Sequence, residues 1–110
     1  MITITQKNGV SVGTINETDR LNAANAHLVK QLLNQKLAVE GAHLLLNLNN
    51  IRFIDSTGIG ALISGLKTAR QHDATFQLCA IQKDVASLLT LMKLDKVFDI
   101  FDDESQVIKQ

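Results

Sequence analysis

Ile51-Arg-Phe-Ile-Asp-Ser-Thr-Gly-Ile-Gly60 decides how this chain is read. The six residues before its approach loop, His43-Leu-Leu-Leu-Asn-Leu48, are nearly all apolar. Such a run fits a strand covered on both faces and is too short for a helix. Asn49-Asn50 begins the loop. After the stretch, Ile59, Leu62, Ile63 and Leu66 recur at i, i+3, i+4 and i+7. That spacing predicts an amphipathic helix from Thr57 to about Arg70. Asp55 and Ser56 therefore stand where a strand hands over to a helix. The helix's other side carries Gly58, Ala61, Ser64, Gly65 and Thr68. Small residues there admit a second surface, either a partner or a neighbouring element of the same domain. Glycines inside a helix cost about 1 kcal/mol each against alanine, so some compensation is expected.

On the N-terminal side, Ile2-Thr-Ile-Thr-Gln-Lys7 and Val10-Ser-Val-Gly-Thr-Ile15 alternate with period two around Asn8-Gly9. Alternation predicts half-buried strands, and Asn-Gly supplies the positive φ of a tight hairpin. From Ala23 to about Leu37, Leu28, Leu32, Leu33 and Leu37 mark an inward helix face, with Asn22 as N-cap and Gly41 after the end. Ala74 to Ala80 reads as a strand, and Asp84 to about Met92 as a helix with Val85, Leu88, Leu89 and Met92 facing in. Val97 to Phe101 reads as a short edge strand. Asp102 to Lys109 reads as a last helix capped by Asp102, with Val107 and Ile108 packing. The order ββαβαβαβα predicts one α/β domain over 1–110, a mixed sheet with helices on one or both faces.

Composition narrows the function classes. The chain has 110 residues, 45% hydrophobic and 20% charged, enough for one solvated core. Eleven basic and eleven acidic residues cancel, and there is no Trp or Tyr. A nucleic-acid protein usually carries a basic face and aromatic platforms, so that class is disfavoured. No apolar run reaches the ~18 residues of a membrane span, and the first residues lack a signal-peptide layout. The expected setting is the cytoplasm, without membrane insertion. Cys79 is the single cysteine and sits in an apolar run, which reads as core.

Ser56 admits three readings. As a helix N-cap, its hydroxyl would accept a backbone N–H two or three residues on. As a nucleophile it lacks half of the Gly-x-Ser-x-Gly elbow, since Ile54 stands two residues before it, and no histidine lies beside it in sequence. As a modification site, a phosphoryl group would meet a helix N-terminus and add about 1.5–2 negative charges beside Asp55. His27, His43 and His72 show no metal-ligand spacing, and Asp102-Asp-Glu104 reads as an acidic helix start. Gly58-Ile-Gly60 alone does not make a nucleotide loop.

Phe53-Ile-Asp-Ser-Thr-Gly-Ile-Gly-Ala-Leu62 resembles the signature of STAS domains, and of bacterial anti-sigma factor antagonists in particular. Arg20-Leu-Asn-Ala-Ala-Asn-Ala26 is similar to that family's loop before the first helix, and the stretch from Cys79 to Phe101 to its C-terminal part. The resemblance implies the STAS fold and a protein that acts by binding, with no catalytic residues, cofactor or metal. It implies phosphorylation at Ser56 by an anti-sigma factor that is itself a serine kinase, and a phosphatase as a further partner. The partner surface it implies comprises Asn22, Asp55, Ser56, Thr57, Gly58, Gly60, Ala61 and Ser64. The runner-up is a STAS regulatory subunit of another assembly, a membrane transporter or a stress-sensing complex. A small serine hydrolase is the enzyme reading. Two residues depart from the family pattern: Asn22 stands where Asp is usual, and Asp19 where Gly is usual.

Overall fold

The computed structural model describes residues 1–108. Strands β1 (Ile2–Lys7) and β2 (Val10–Ile15) form the expected antiparallel hairpin. Asn8 and Gly9 turn it at φ +51° and +83°, the left-handed region that Asn and Gly tolerate. β3 (Arg20–Leu21), α1 (Ala26–Leu37), β4 (His43–Asn47), β5 (Phe53–Ile54), α2 (Ser56–Gln71), β6 (Thr75–Cys79), α3 (Lys83–Leu91) and β7 (Asp99–Phe101) come next, in that order. Single 3₁₀ turns lie at Leu94–Lys96 and Glu104–Gln106.

The main sheet runs β1-β2-β4-β6-β7, with β4 in the middle and β7 at an edge, the edge place that the sequence predicts for the last strand. Beyond the hairpin its pairs are parallel, so the sheet is mixed. β3 and β5 pair in parallel as a separate two-residue ribbon. Alternation along β4 sorts the core. Leu44 and Leu46 face a large cluster that takes in Val29, Leu33 and Leu37 of α1, Ile59 and Leu62 of α2, and Val85 and Leu89 of α3. Leu45 faces the other way, into a small cluster with Val10, Val12 and Cys79. The helices therefore contribute their buried residues to one side of the sheet.

Several boundaries differ from the sequence reading. α1 begins at Ala26, because Asn22 to Asn25 forms a separate turn. Its buried stripe is Ala26, Val29, Leu33 and Leu37, which leaves Leu32 half-buried and Leu28 56% exposed. Two apolar stripes share Leu33 and Leu37 in that helix, and the core takes the one that adds Ala26 and Val29. Met92 is 46% exposed as the C-cap of α3, and Lys93 in the left-handed region ends the helix there. Val97 is exposed while Phe98, just outside β7, is buried edge-on against Phe76 at 6.0 Å. The last helix is reduced to the turn at Glu104–Gln106, capped by Asp103 and not Asp102. Lys109, the expected end of that helix, lies outside the described residues.

Candidate functional site at the start of the second helix

The site is assembled from two distant pieces of chain. Arg20 pairs with Phe53 and Leu21 with Ile54, and the carbonyl of Asp19 accepts the N–H groups of Arg52 and Phe53 at 2.7 and 3.2 Å. The Leu21 carbonyl accepts the Asp55 N–H at 3.2 Å. The Arg20 guanidinium lies over the exposed Phe53 ring at 5.3 Å, a cation–π contact that ties the ribbon's outer face. Asp19 serves here through its backbone carbonyl, and its exposed carboxylate lies 3.7 Å from Arg20 Nε, so a side chain where glycine is usual is accommodated.

Beyond Leu21 the chain turns on itself. Asn22 Oδ1 accepts the Ala24 N–H at 3.0 Å, and the Asn22 N–H donates to Asn25 Oδ1 at 3.0 Å. Asn22 thus caps a turn that precedes α1 and not the helix itself, whose N-cap position is Asn25. This turn brings the Ala23 N–H near enough to the Asp55 carboxylate to add a small share to the lowering of its pKa.

Asp55, not Ser56, caps α2. Its Oδ1 accepts the N–H groups of Thr57 and Gly58 at 2.9 and 3.0 Å and the Thr57 hydroxyl at 2.5 Å. The Thr57 hydroxyl first, then the Gly58 N–H, with smaller help from the N–H groups of Thr57 and Ala23, hold the carboxyl below its ordinary range. Asp55 is therefore anionic near neutral pH. Both residue types are good caps, and the extended backbone of Asp55 is what gives it the role. Ser56 becomes the first helical residue. It is exposed, and among the described residues its hydroxyl has no hydrogen-bond partner.

Gly58 and Ala61 do not reach the surface. A Cβ at Gly58 would sit 2.5 Å from the Leu21 carbonyl and 2.7 Å from Ile54 Cγ1. Only glycine lets α2 start this close to the ribbon. Ala61 is 2% exposed, and Gly65 is buried with its Cβ position 3.1 Å from Phe76. Ser64 and Thr68 meet Asn34 of α1 at 3.1 and 2.9 Å. The small side of α2 is thus largely an internal contact with α1 and the ribbon. Of the residues assigned to the partner surface, Ser56, Thr57 and Gly60 are exposed, and Asn22, Asp55 and Ser64 are half-buried. Arg20, Phe53 and Ala23, which the sequence reading did not single out, frame the same surface. Phe53 heads the motif itself, and only the structure shows that it is 46% exposed.

His43 is engaged with Gln77, and the His72 ring with the Thr68 carbonyl. Neither bonds Ser56. Among the described residues no cluster of His, Cys, Asp or Glu has a metal-binding arrangement. Among the same residues no helix is long and apolar enough to cross a membrane.

Similarity to known proteins has the same outline. The STAS domain model matches residues 1–107. The anti-sigma F factor antagonist of Paenibacillus polymyxa is 29% identical over 68 residues, which cover 62% of this chain and 58% of that protein's length. The crystal structure of a candidate anti-sigma factor antagonist from Thermotoga maritima superposes with a TM-score of 0.80 at 25% identity, covering 96% of this chain and 89% of that one. The murine anion transporter Slc26a9 shares the fold, with a TM-score of 0.72 at 21% identity over 90% of this chain and 17% of that one. With the motif at Phe53–Leu62 seated at a strand-to-helix junction and the family model covering nearly every residue, this chain belongs to the STAS domain family.

Proposed function

We propose that this chain is an anti-sigma factor antagonist. In this reading it binds an anti-sigma factor that is also a serine kinase, so releasing a sigma factor for transcription. Phosphorylation at Ser56 ends the binding, and a phosphatase restores it. The observation that carries the reading is the difference between Ser56 and Thr57. Thr57 commits its hydroxyl to Asp55, whereas Ser56 presents a free hydroxyl on the exposed first turn of α2. The sequence relatives named as antagonists supply the partner class. The likeness to an anion transporter is one of fold and adds nothing for the transporter-subunit reading.

The electrostatics give the switch its form. The N–H groups of Thr57 and Gly58 are already taken by Asp55. A phosphate on Ser56 therefore finds its nearest amides occupied and an anionic neighbour beside it. It projects outward and alters the surface more than the fold. Facing a partner, the same charge must be desolvated or paired, and a buried unpaired charge costs on the order of 3–5 kcal/mol. That corresponds to roughly two to four decades of affinity. The exposed Phe53, with Ile54, Val85 and Leu88, lines a shallow groove beside this point and offers the partner an apolar foothold.

Calorimetry with the cognate kinase tests the reading. Ser56→Asp is expected to bind two or more decades more weakly with a nearly unchanged melting temperature, and Ser56→Ala to bind but resist inactivation by ATP. Binding of Ser56→Asp as tight as wild type, or phosphate found only on Thr57 or Ser64, overturns it.

A further inference from the structure

The sheet has a second apolar side that the helices do not cover. Val10, Val12, Leu45 and Cys79 form a cluster that shares no residue with the main core. Phe101, Val107 and Ile108 pack on it. Residues 103–108 therefore cross this side of the sheet as a short strap. The strap folds on itself: the Asp103 carboxylate accepts the Ser105 N–H at 2.7 Å and the Ser105 hydroxyl. The N–H groups of Gln106, Val107 and Ile108 return to the carbonyls of Asp103 and Glu104. These backbone bonds close within the strap and survive its removal from the sheet.

Its attachment is made by side chains. Glu104 accepts from Lys7 Nζ at 2.9 Å and from Asn47 Nδ2 at 2.7 Å, bridging the ends of β1 and β4. Val107 and Ile108 supply the apolar part, and both remain partly exposed. Cys79, in the cluster on which they pack together with Ala80 and Phe101, is fully buried. A segment with local backbone bonds, few apolar contacts and one latch belongs to the low-stability end of a fold, where opening precedes global unfolding.

We propose that residues 103–108 are a detachable strap, latched by Glu104 onto Lys7 and Asn47, whose docking controls access to Cys79 and the apolar strip beside it. Detachment leaves the helix-covered core untouched, because the two clusters are separate. The docked state also quiets the thiol: burial, then the negative charges of Glu104 and Asp103, push it up to about 11. Lifting the strap removes the cover and moves both carboxylates away.

Cys79 is the single cysteine, so thiol labelling reads this site alone. The experiment measures the rate at which an aromatic disulfide reagent labels the full chain at about pH 8, where an ordinary thiol reacts readily, across urea concentrations below the unfolding midpoint. The expected wild-type rate is nearly independent of urea in that range, the mark of local opening. Glu104→Ala and Ile108→Ser are expected to label about tenfold faster with little change in the urea midpoint. Lys7→Met, which keeps both carboxylates, is expected to label faster as well, separating detachment from loss of charge. Wild-type labelling that tracks global unfolding at every urea concentration overturns the proposal. So do variants that label no faster than wild type, or that gain rate only in proportion to a lowered midpoint.

Discussion

Asp55-Ser-Thr57 and Asp103-Glu-Ser105 fold into the same turn. In each, an aspartate carboxylate takes the N–H and the hydroxyl of the residue two positions on, and in each the carboxyl is held below its ordinary range by that hydroxyl first. The middle residue differs in fate. Ser56 is left free on the surface, whereas Glu104 reaches Lys7 and Asn47. The continuation of the chain differs too: α2 runs from Ser56 to Gln71 and is clamped on the ribbon at Gly58, while the second turn stops at Gln106. One local device thus serves a rigid display in one place and a removable latch in the other. The difference comes from tertiary packing and not from the capping chemistry.

The largest expected effect tests the rigid side. Gly58→Ala places a Cβ against a backbone carbonyl that cannot move aside as a side-chain tip can. Overpacking of this kind costs about 1–3 kcal/mol, and this site belongs at the upper end. Urea unfolding should show a clearly lowered midpoint. Gly60→Ala, where the added Cβ meets nothing, should instead raise it, through a stability gain of up to about 1 kcal/mol. Equal effects at the two glycines would show that α2 is not clamped at its first turn.

Next come the two caps themselves. Asp55→Ala should lower the urea midpoint, because the whole of α2 depends on that start. Asp103→Ala should barely move it, while speeding Cys79 labelling. If both lowered the midpoint alike, the strap would be part of the cooperative fold and the contrast would fail.

A smaller effect concerns acid. Asp55 has a depressed folded-state value, so its charged cap contributes stability that is fully present above the ordinary aspartate value near 3.8. That contribution is lost as the pH falls through the depressed folded value. The midpoint gap between wild type and Asp55→Asn should stay constant from about pH 7 to 5 and close below about pH 4. A gap that widens in acid would mean the cap acts through some other group.

The smallest expected effect is at Asn22. Its Oδ1 accepts one backbone N–H, which a carboxylate does equally well, so Asn22→Asp should leave stability within about 0.5 kcal/mol. The rate of Ser56 phosphorylation by the cognate kinase should nonetheless change, since a second carboxylate joins the turn that touches Asp55. Equal rates would reduce Asn22 to a capping residue.

Much of the fold is legible in the residues alone. The Asn8-Gly9 hairpin, the central strand at 43–47 and the helix after Ser56 are written in local periodicity and turn chemistry, and all three are present. The ribbon was not legible, because two-residue strands carry no period and exist only by pairing with each other. The capping role went to Asp55 because adjacent Asp and Ser are both competent caps and only the backbone angle separates them. The final helix was lost because a short segment with one apolar pair, Val107 and Ile108, gains more by lying across the sheet than by winding further.

The β3–β5 ribbon has a consequence for how the protein comes to be. Asp55 and Ser56 are close in sequence to Phe53, but their geometry also depends on Arg20, Leu21 and Ala23, which belong to an earlier part of the chain. Closing the long intervening loop, which contains α1 and β4, costs entropy before the short ribbon returns anything. Contacts of this kind tend to form late, after the local hairpin and helices. The surface around Ser56 is therefore expected to mature only after the non-local pairings of the chain are made, and a partner of the kind proposed above would then distinguish a finished chain from a nascent or misfolded one.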